Sequence, residues 1–334
     1  MFKKRRFLGY FGIYLRGIAM GAADVVPGVS GGTIAFISGI YEELLNTIKA
    51  FNLSSLKSIR REGVFSFWRK VNGTFILALF LGIGSSVVTL VNVINGILVQ
   101  EGQTGEKIGL WSFFFGLIIA SVIYVAKQIK GWSYKEIIGL LVGGILAYYI
   151  TIAQVSENSE SIVFLFFAGA LAISAMILPG ISGSFILILL GAYQPVMKAI
   201  MDFIATIKQG EYGELLTVSI PLVVFALGCV IGLLSFSRVL SFLFKNYEKI
   251  TLATLTGFMI GSLNKIWPWK EIVDTRISSE GKIIPTVTSN ISPSEFESMY
   301  AMDSFIPYAI GFSVLGFGLV FGIEFIGNKF KNEN

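Results

Sequence analysis

Histidine is absent from this 334-residue chain, and cysteine occurs once, at Cys229. The first absence excludes His-based zinc sites, Ser-His triads and imidazole proton shuttles together. The second excludes an intrachain disulfide and leaves Cys229 as a small apolar packing residue. Charge is scarce too: only 14% of the residues are Asp, Glu, Lys or Arg, whereas 54% are hydrophobic and 29 are Phe. At a mean hydropathy of +0.74, that much apolar surface cannot be hidden in a water-soluble domain, so the chain reads as a membrane protein.

A helix needs about 20 apolar residues to cross the ~30 Å hydrocarbon core. Runs of that kind lie at about 73–99, 108–126, 136–153, 217–237, 250–267 and 305–327. The 37 glycines suit close contact between helices in lipid. The long polar segment at 268–304 reads as a solvated or lid-like loop.

Two other stretches resemble each other. Pro27-Gly28-Val29-Ser30-Gly31-Gly32-Thr33-Ile34 running on to Gly39-Ile40-Tyr41 is echoed, 152 residues later, by Pro179-Gly180-Ile181-Ser182-Gly183-Ser184-Phe185-Ile186 running on to Gly191-Ala192-Tyr193. A helix-breaking Pro-Gly-x-Ser-Gly set twice in apolar surroundings marks a transporter whose halves each carry a broken helix. The apolar run from Ile34 to Tyr41 covers only about 12 Å at 1.5 Å per residue, and Phe185 to Tyr193 is equally short. Each is preceded by a longer arm, Phe7 to Ala23 and Ile162 to Leu178, so each unit reads as a hairpin that dips to mid-membrane and returns. The fold expected is an all-α polytopic membrane protein of two inverted-topology repeats, each with one re-entrant hairpin and three transmembrane helices. The first repeat is 1–155, with hairpin 7–50, and the second is 156–334, with hairpin 162–203. If both arms of every hairpin crossed fully, the parity and the inversion would survive.

Most of the 26 basic residues then fall on one side, including Lys3 to Arg6, the cluster Lys57, Arg60, Arg61, Arg69 and Lys70, and Lys329 and Lys331. That side is cytoplasmic by the positive-inside rule, with both termini on it. The stretch Lys3 to Ala23 also has the cast of a cleavable leader. Arg16 interrupts its apolar core, and the second half retains the matching arm, so retention is the reading kept.

The paired motifs have the makings of an anion site. Backbone N–H groups at the starts of short helices near Thr33 and Phe185 stand beside the hydroxyls of Ser30, Thr33, Ser182 and Ser184, with phosphate the obvious anion. The alternative is that the glycines merely permit close packing at two helix breaks.

The run Met20-Gly21-Ala22-Ala23-Asp24-Val25-Val26-Pro27-Gly28-Val29-Ser30-Gly31-Gly32-Thr33, with Leu178-Pro179-Gly180-Ile181-Ser182-Gly183-Ser184 later, resembles the bacterial polyprenyl-phosphate transporter family over essentially the whole chain. The resemblance implies a flippase moving undecaprenyl phosphate from the outer to the inner leaflet of the bacterial cytoplasmic membrane, for carrier-lipid reuse in cell-wall synthesis. It implies a transporter and not an enzyme, with no cofactor, metal or nucleic acid. A small-anion channel or exchanger is the alternative. A polyprenyl-diphosphate phosphatase is disfavoured, because such enzymes use a histidine.

The resemblance assigns no binding residues, so the site is read from the residues themselves. Arg16, a charge within the first arm, is the candidate to neutralise phosphate, assisted by Ser30, Gly31, Gly32, Thr33, Ser182, Gly183 and Ser184. Its competing role is an ion pair with Asp24 or Glu42. Asp24, whose mate in the second motif is Met176, is a candidate to carry a coupling proton or sodium ion, or else caps the broken helix. Glu42 is a second coupling candidate that competes with a role in ending the half-helix beside Glu43. Lys265 and Arg238 read as interfacial anchors, and Glu324 as a residue that snorkels to the surface.

Overall fold

A computed structural model describes Arg5 and residues 7–24, 30–98, 104–152, 161–210, 212–277 and 283–332. The chain is mainly helical. In order come α1 (Phe7–Asp24), α2 (Gly31–Ile37), α3 (Tyr41–Ala50), α4 (Leu53–Glu62), α5 (Val64–Lys70), α6 (Gly73–Leu98), α7 (Gly105–Gln128) and α8 (Tyr134–Ile152). The second half repeats the pattern with α9 (Ile162–Ile177), α10 (Gly183–Leu189), α11 (Tyr193–Gln209) and α12 (Leu215–Ser262), then β1 (Lys270–Ile277), β2 (Ile283–Asn290), α13 (Pro293–Tyr300) and α14 (Ile306–Asn332).

Among the described residues, α7, α8 and α12 are each long and apolar enough to cross a membrane. α5 with the first part of α6, and α10 with α11, meet that test only as pairs bent by 71° and 107°. Leu, Ile and Val cover the outer faces, including Ile138, Leu141, Val142 and Ile145 on α8 and Val223, Leu227 and Val230 on α12. Water would not tolerate such a surface, and lipid requires it. The protein is a multi-pass membrane protein.

The local signals at both helix breaks are alike. Ser30 caps α2 by accepting the Gly32 N–H at 3.1 Å. Each short helix then ends in a turn whose glycine adopts positive φ, Gly39 at 72° and Gly191 at 71°, a conformation that costs glycine nothing. Aromatic rings seat the first break on α12, with Phe36 and Tyr41 in edge contact at 5.1 Å and Tyr41 against Phe244 at 5.7 Å.

Glycines bring the long helices into backbone contact, and they do so twice over. A Cβ added at Gly17 of α1 would fall on the Leu79 carbonyl of α6, and one at Gly82 on the Tyr14 carbonyl. The same reciprocal contact joins α9 to α12, with Gly169 against Phe225 and Gly228 against Phe166. Tyr14, Gly17, Leu79 and Gly82 thus correspond in order to Phe166, Gly169, Phe225 and Gly228. A second contact links the halves. Gly116 meets Ser313 and Gly316 meets Phe113 between α7 and α14, and Gly257 meets Leu140 and Gly143 meets Thr254 between α12 and α8. The contact is made twice with the halves exchanged, as in an isologous interface.

Two regions differ from the sequence reading. The apolar run at 217–237 and most of that at 250–267 lie on one helical stretch, interrupted only at Tyr247 (φ −138°, ψ 41°), although the segment 238–249 separates the two runs in the sequence. That segment contains neither Gly nor Pro, so nothing in it halts a helix before the break. The segment expected to be a solvated loop is instead a folded cap, and it adds an antiparallel β1–β2 hairpin to the otherwise helical expectation. Aromatic anchors hold it: Trp269 and Phe296 are buried with Ile108 of α7 and Ala309 of α14, and the two indoles donate to the carbonyls of Ile291 (from Trp267, 2.9 Å) and Ser304 (from Trp269, 2.8 Å). A Ser292–Glu295 capping box starts α13.

Gly316→Leu and Gly143→Leu should each destabilise the protein by about 1–3 kcal/mol or more, since the added side chain overpacks onto backbone. Gly311→Leu, where an added Cβ meets nothing within 4 Å, should leave stability within about 0.5 kcal/mol of the parent. Thermal unfolding in detergent measures the difference.

Candidate functional site

The two motifs meet. The Gly180 N–H, at the second break, donates to Thr33 Oγ1 at the first, at 2.9 Å, and both groups are buried. Ser30 Oγ lies 3.3 Å from the Leu178 carbonyl and 3.4 Å from that of Met176, while the Tyr41 hydroxyl donates to the Ile177 carbonyl at 2.9 Å. The carbonyls freed where α9 ends are therefore taken by hydroxyls of the first motif. Gly32 completes the fit, because a Cβ there would lie 2.8 Å from the Ile177 carbonyl oxygen.

The breaks differ in how far they are satisfied. At the first, the Gly31 N–H donates to Asp24 Oδ1 at 2.7 Å and the Gly32 N–H to Ser30, so these two donors already have acceptors. Asp24 caps the broken helix, one of the two roles weighed for it, and a Cβ at Gly31 would lie 2.5 Å from its carboxylate. At the second, no side chain caps α10: Ser182 Oγ lies 3.0 Å from Ser184 Oγ, and Gly183 backs onto the Ala172 carbonyl. Pro27 and Gly28 lie outside the described residues.

The candidate charges lie on α1, with Arg16 and Asp24, and on α3, with Glu42. Arg16 makes no ion pair with Asp24 or Glu42 among the described residues; its Nε is buried without a hydrogen-bond partner, and the charges acting on it are Arg5 and Glu43. Glu43 is already committed, accepting two hydrogen bonds from Arg5 at 2.6 and 2.5 Å and one from Asn72 at 3.0 Å. Glu42 is exposed on α3. Among the described residues no hydrogen bond joins Arg16 to Ser30–Thr33 or Ser182–Ser184, whereas the two breaks themselves are joined through Thr33 and Ser30.

The family model described as undecaprenyl phosphate translocase-like matches residues 20–284, a span that includes both motifs. The chain belongs to that family. It is 44% identical over 322 residues, 96% of this chain and 98% of its relative, to a polyprenyl-phosphate transporter of Vibrio cholerae serotype O1 (strain ATCC 39315 / El Tor Inaba N16961). It is 31% identical over 269 residues, 76% of this chain and 85% of the relative, to a polyprenyl-phosphate transporter of Staphylococcus aureus (strain NCTC 8325 / PS 47). No solved structure matches it.

In this translocase-like chain the residue that sequence reasoning missed is Lys265. Read as an interfacial anchor, it instead lies over the Phe185 ring at 4.3 Å and lines a small cavity with Gly180, Ser182, Ser262 and Thr151. Periodicity could not have found it, because it follows the end of α12 and reaches the second motif only through the fold. Lys270 is buried beside it, its ammonium donating to the Lys265 carbonyl and lying 4.6 Å from the centre of the Trp111 ring. Burial and the neighbouring Lys265 charge push Lys270 down to about 7.

Thr33→Val keeps the side-chain shape and strands the Gly180 N–H in the interior, which should cost about 1–3 kcal/mol. Thr33→Ser keeps the acceptor and should stay closer to the parent. Unfolding of the two variants in the same detergent is the measurement.

Proposed function

We propose that this protein is a polyprenyl-phosphate flippase, carrying undecaprenyl phosphate from the outer to the inner leaflet of the bacterial cytoplasmic membrane without covalent chemistry. One observation carries the reading: two duplicated, hydroxyl-bearing helix breaks from opposite halves of an apolar protein are joined to each other by the Thr33–Gly180 hydrogen bond. A transporter with alternating access needs such a joint, where repeats meet around one central site. The substrate is an anion on an apolar tail, so only the head group needs a protein environment and the tail stays in lipid.

The topology proposed is that of inverted repeats, with hairpins 7–50 and 162–203 re-entrant and both termini cytoplasmic. The contacts between α7 and α14 and between α8 and α12, repeated with the halves exchanged, support it. Ser30, Thr33, Ser182 and Ser184 line the path of the phosphate, with Gly31, Gly32 and Gly183 supplying close backbone approach. Arg16, whose buried Nε makes no hydrogen bond among the described residues, neutralises the head group as it leaves toward the cytoplasm. Asp24 exchanges its cap on Gly31 for a coupling proton or sodium ion, and Glu42 stands at the cytoplasmic mouth.

Flipping of labelled undecaprenyl phosphate in proteoliposomes tests this. Arg16→Ala should lose transport by more than tenfold, since breaking a desolvated charge pair costs about 3–5 kcal/mol. Exposed Arg238→Ala should leave it unchanged. Asp24→Asn should transport with a different dependence on pH or on a sodium gradient. Anion conductance without lipid phosphate would favour the channel alternative. In a Cys229→Ala background, cysteines at Lys57 and Ser294 should be labelled from opposite faces, and labelling of both from one face would overturn the topology.

A further inference from the structure

The second motif has its own unpaired cation. Lys265 is partly buried, and its ammonium makes no hydrogen bond or ion pair among the described residues; its only partner is the face of Phe185, 4.3 Å away. A cation withdrawn from water and left without an anion is costly, and the ring face compensates for it only in part. The cavity that it lines is polar on one wall, where Ser182, Ser262 and Thr151 stand beside Gly180. Two of these hydroxyls already donate to carbonyls, Ser262 to Met259 at 2.8 Å and Thr151 to Tyr148 at 2.7 Å, and Thr151 also accepts from Asn264 at 2.7 Å. Among the described residues Ser182 has only the Ser184 hydroxyl, at 3.0 Å. Nothing in this wall is acidic among the described residues. Lys270 stands behind it, its side chain donating to the Lys265 carbonyl.

We propose that Lys265 is the counter-charge of a phosphate-monoester site at the second motif, on the face from which the substrate enters, with Ser182 donating beside it. This rests on the polyprenyl-phosphate reading and places a second phosphate contact opposite Arg16. In this conformation the cavity has room for about one water-sized group. The ammonium that would bind the phosphate therefore also closes its site while parked on Phe185. An arriving phosphate draws it off the ring, exchanging a weak cation–π contact for a charge-assisted hydrogen bond. The division of labour follows from the breaks themselves: Asp24 occupies the first cap, whereas its mate Met176 leaves the second without a carboxylate to compete with the anion.

Binding of fluorescent undecaprenyl phosphate to the intact protein in nanodiscs, with undecaprenol as the uncharged control and inorganic phosphate as competitor, tests the proposal. Lys265→Gln should weaken binding at least about tenfold, the size of a lost charge-assisted hydrogen bond. Lys265→Arg should retain most of it, and Phe185→Leu, which removes the parking place and keeps the charge, should bind as tightly as the parent or a few-fold more tightly. Competition by inorganic phosphate that disappears in Lys265→Gln would assign the site to the phosphate group itself; competition absent from parent and variant alike would assign it to phosphate presented on the lipid. Unaltered affinity in a folded Lys265→Gln protein overturns the role of Lys265 and leaves the flippase reading standing. A parent that fails to prefer undecaprenyl phosphate over undecaprenol overturns the reading and this inference together.

Discussion

A helix broken inside an apolar protein leaves N–H and C=O groups that no water can reach, and in this molecule each break answers for the other. Thr33 accepts from Gly180, and Ser30 and Tyr41 reach the carbonyls left open where α9 ends. Unpaired, each of those groups would cost on the order of 1–3 kcal/mol. The two breaks are therefore stable only together, and the long helices around them must be held where the breaks can meet.

Glycine supplies that placement. Reciprocal contacts at Gly17 and Gly82, and again at Gly169 and Gly228, set the arm of each half against its first long helix at backbone distance. In lipid the hydrophobic effect offers little drive for one helix to find another, so van der Waals contact of this closeness carries the association. Contacts at Gly116, Gly316, Gly143 and Gly257 then tie half to half. The duplication visible in the motifs thus extends through the framework that positions them.

The symmetry fails where charge enters. Asp24 corresponds to Met176 in the repeat, Arg16 stands where the second half has Ala168, and Lys265 falls where no motif led. The two breaks therefore differ in cap and in local charge although their backbones are alike. The folded cap of β1, β2 and α13, anchored by Trp267, Trp269 and Phe296, lies on the end of the protein that holds Lys265 and Lys270.

Much was legible in the chain itself. Apolar runs, scarce charge and a repeated Pro-Gly-x-Ser-Gly determine a multi-pass helical membrane protein with two broken helices, because those features depend on local chemistry: which residues avoid water, and which stop a helix. The tertiary structure alone decided that Thr33 meets Gly180 across 147 residues of sequence, that Asp24 caps Gly31 and not a distant group, and that Lys265 reaches Phe185. It also turned the polar segment after α12 into a folded cap, through indole hydrogen bonds to carbonyls that periodicity does not pair. Hydropathy records a residue's preference for lipid or water, and it is blind to which partner a buried polar group finds; that partner is set by how the helices pack.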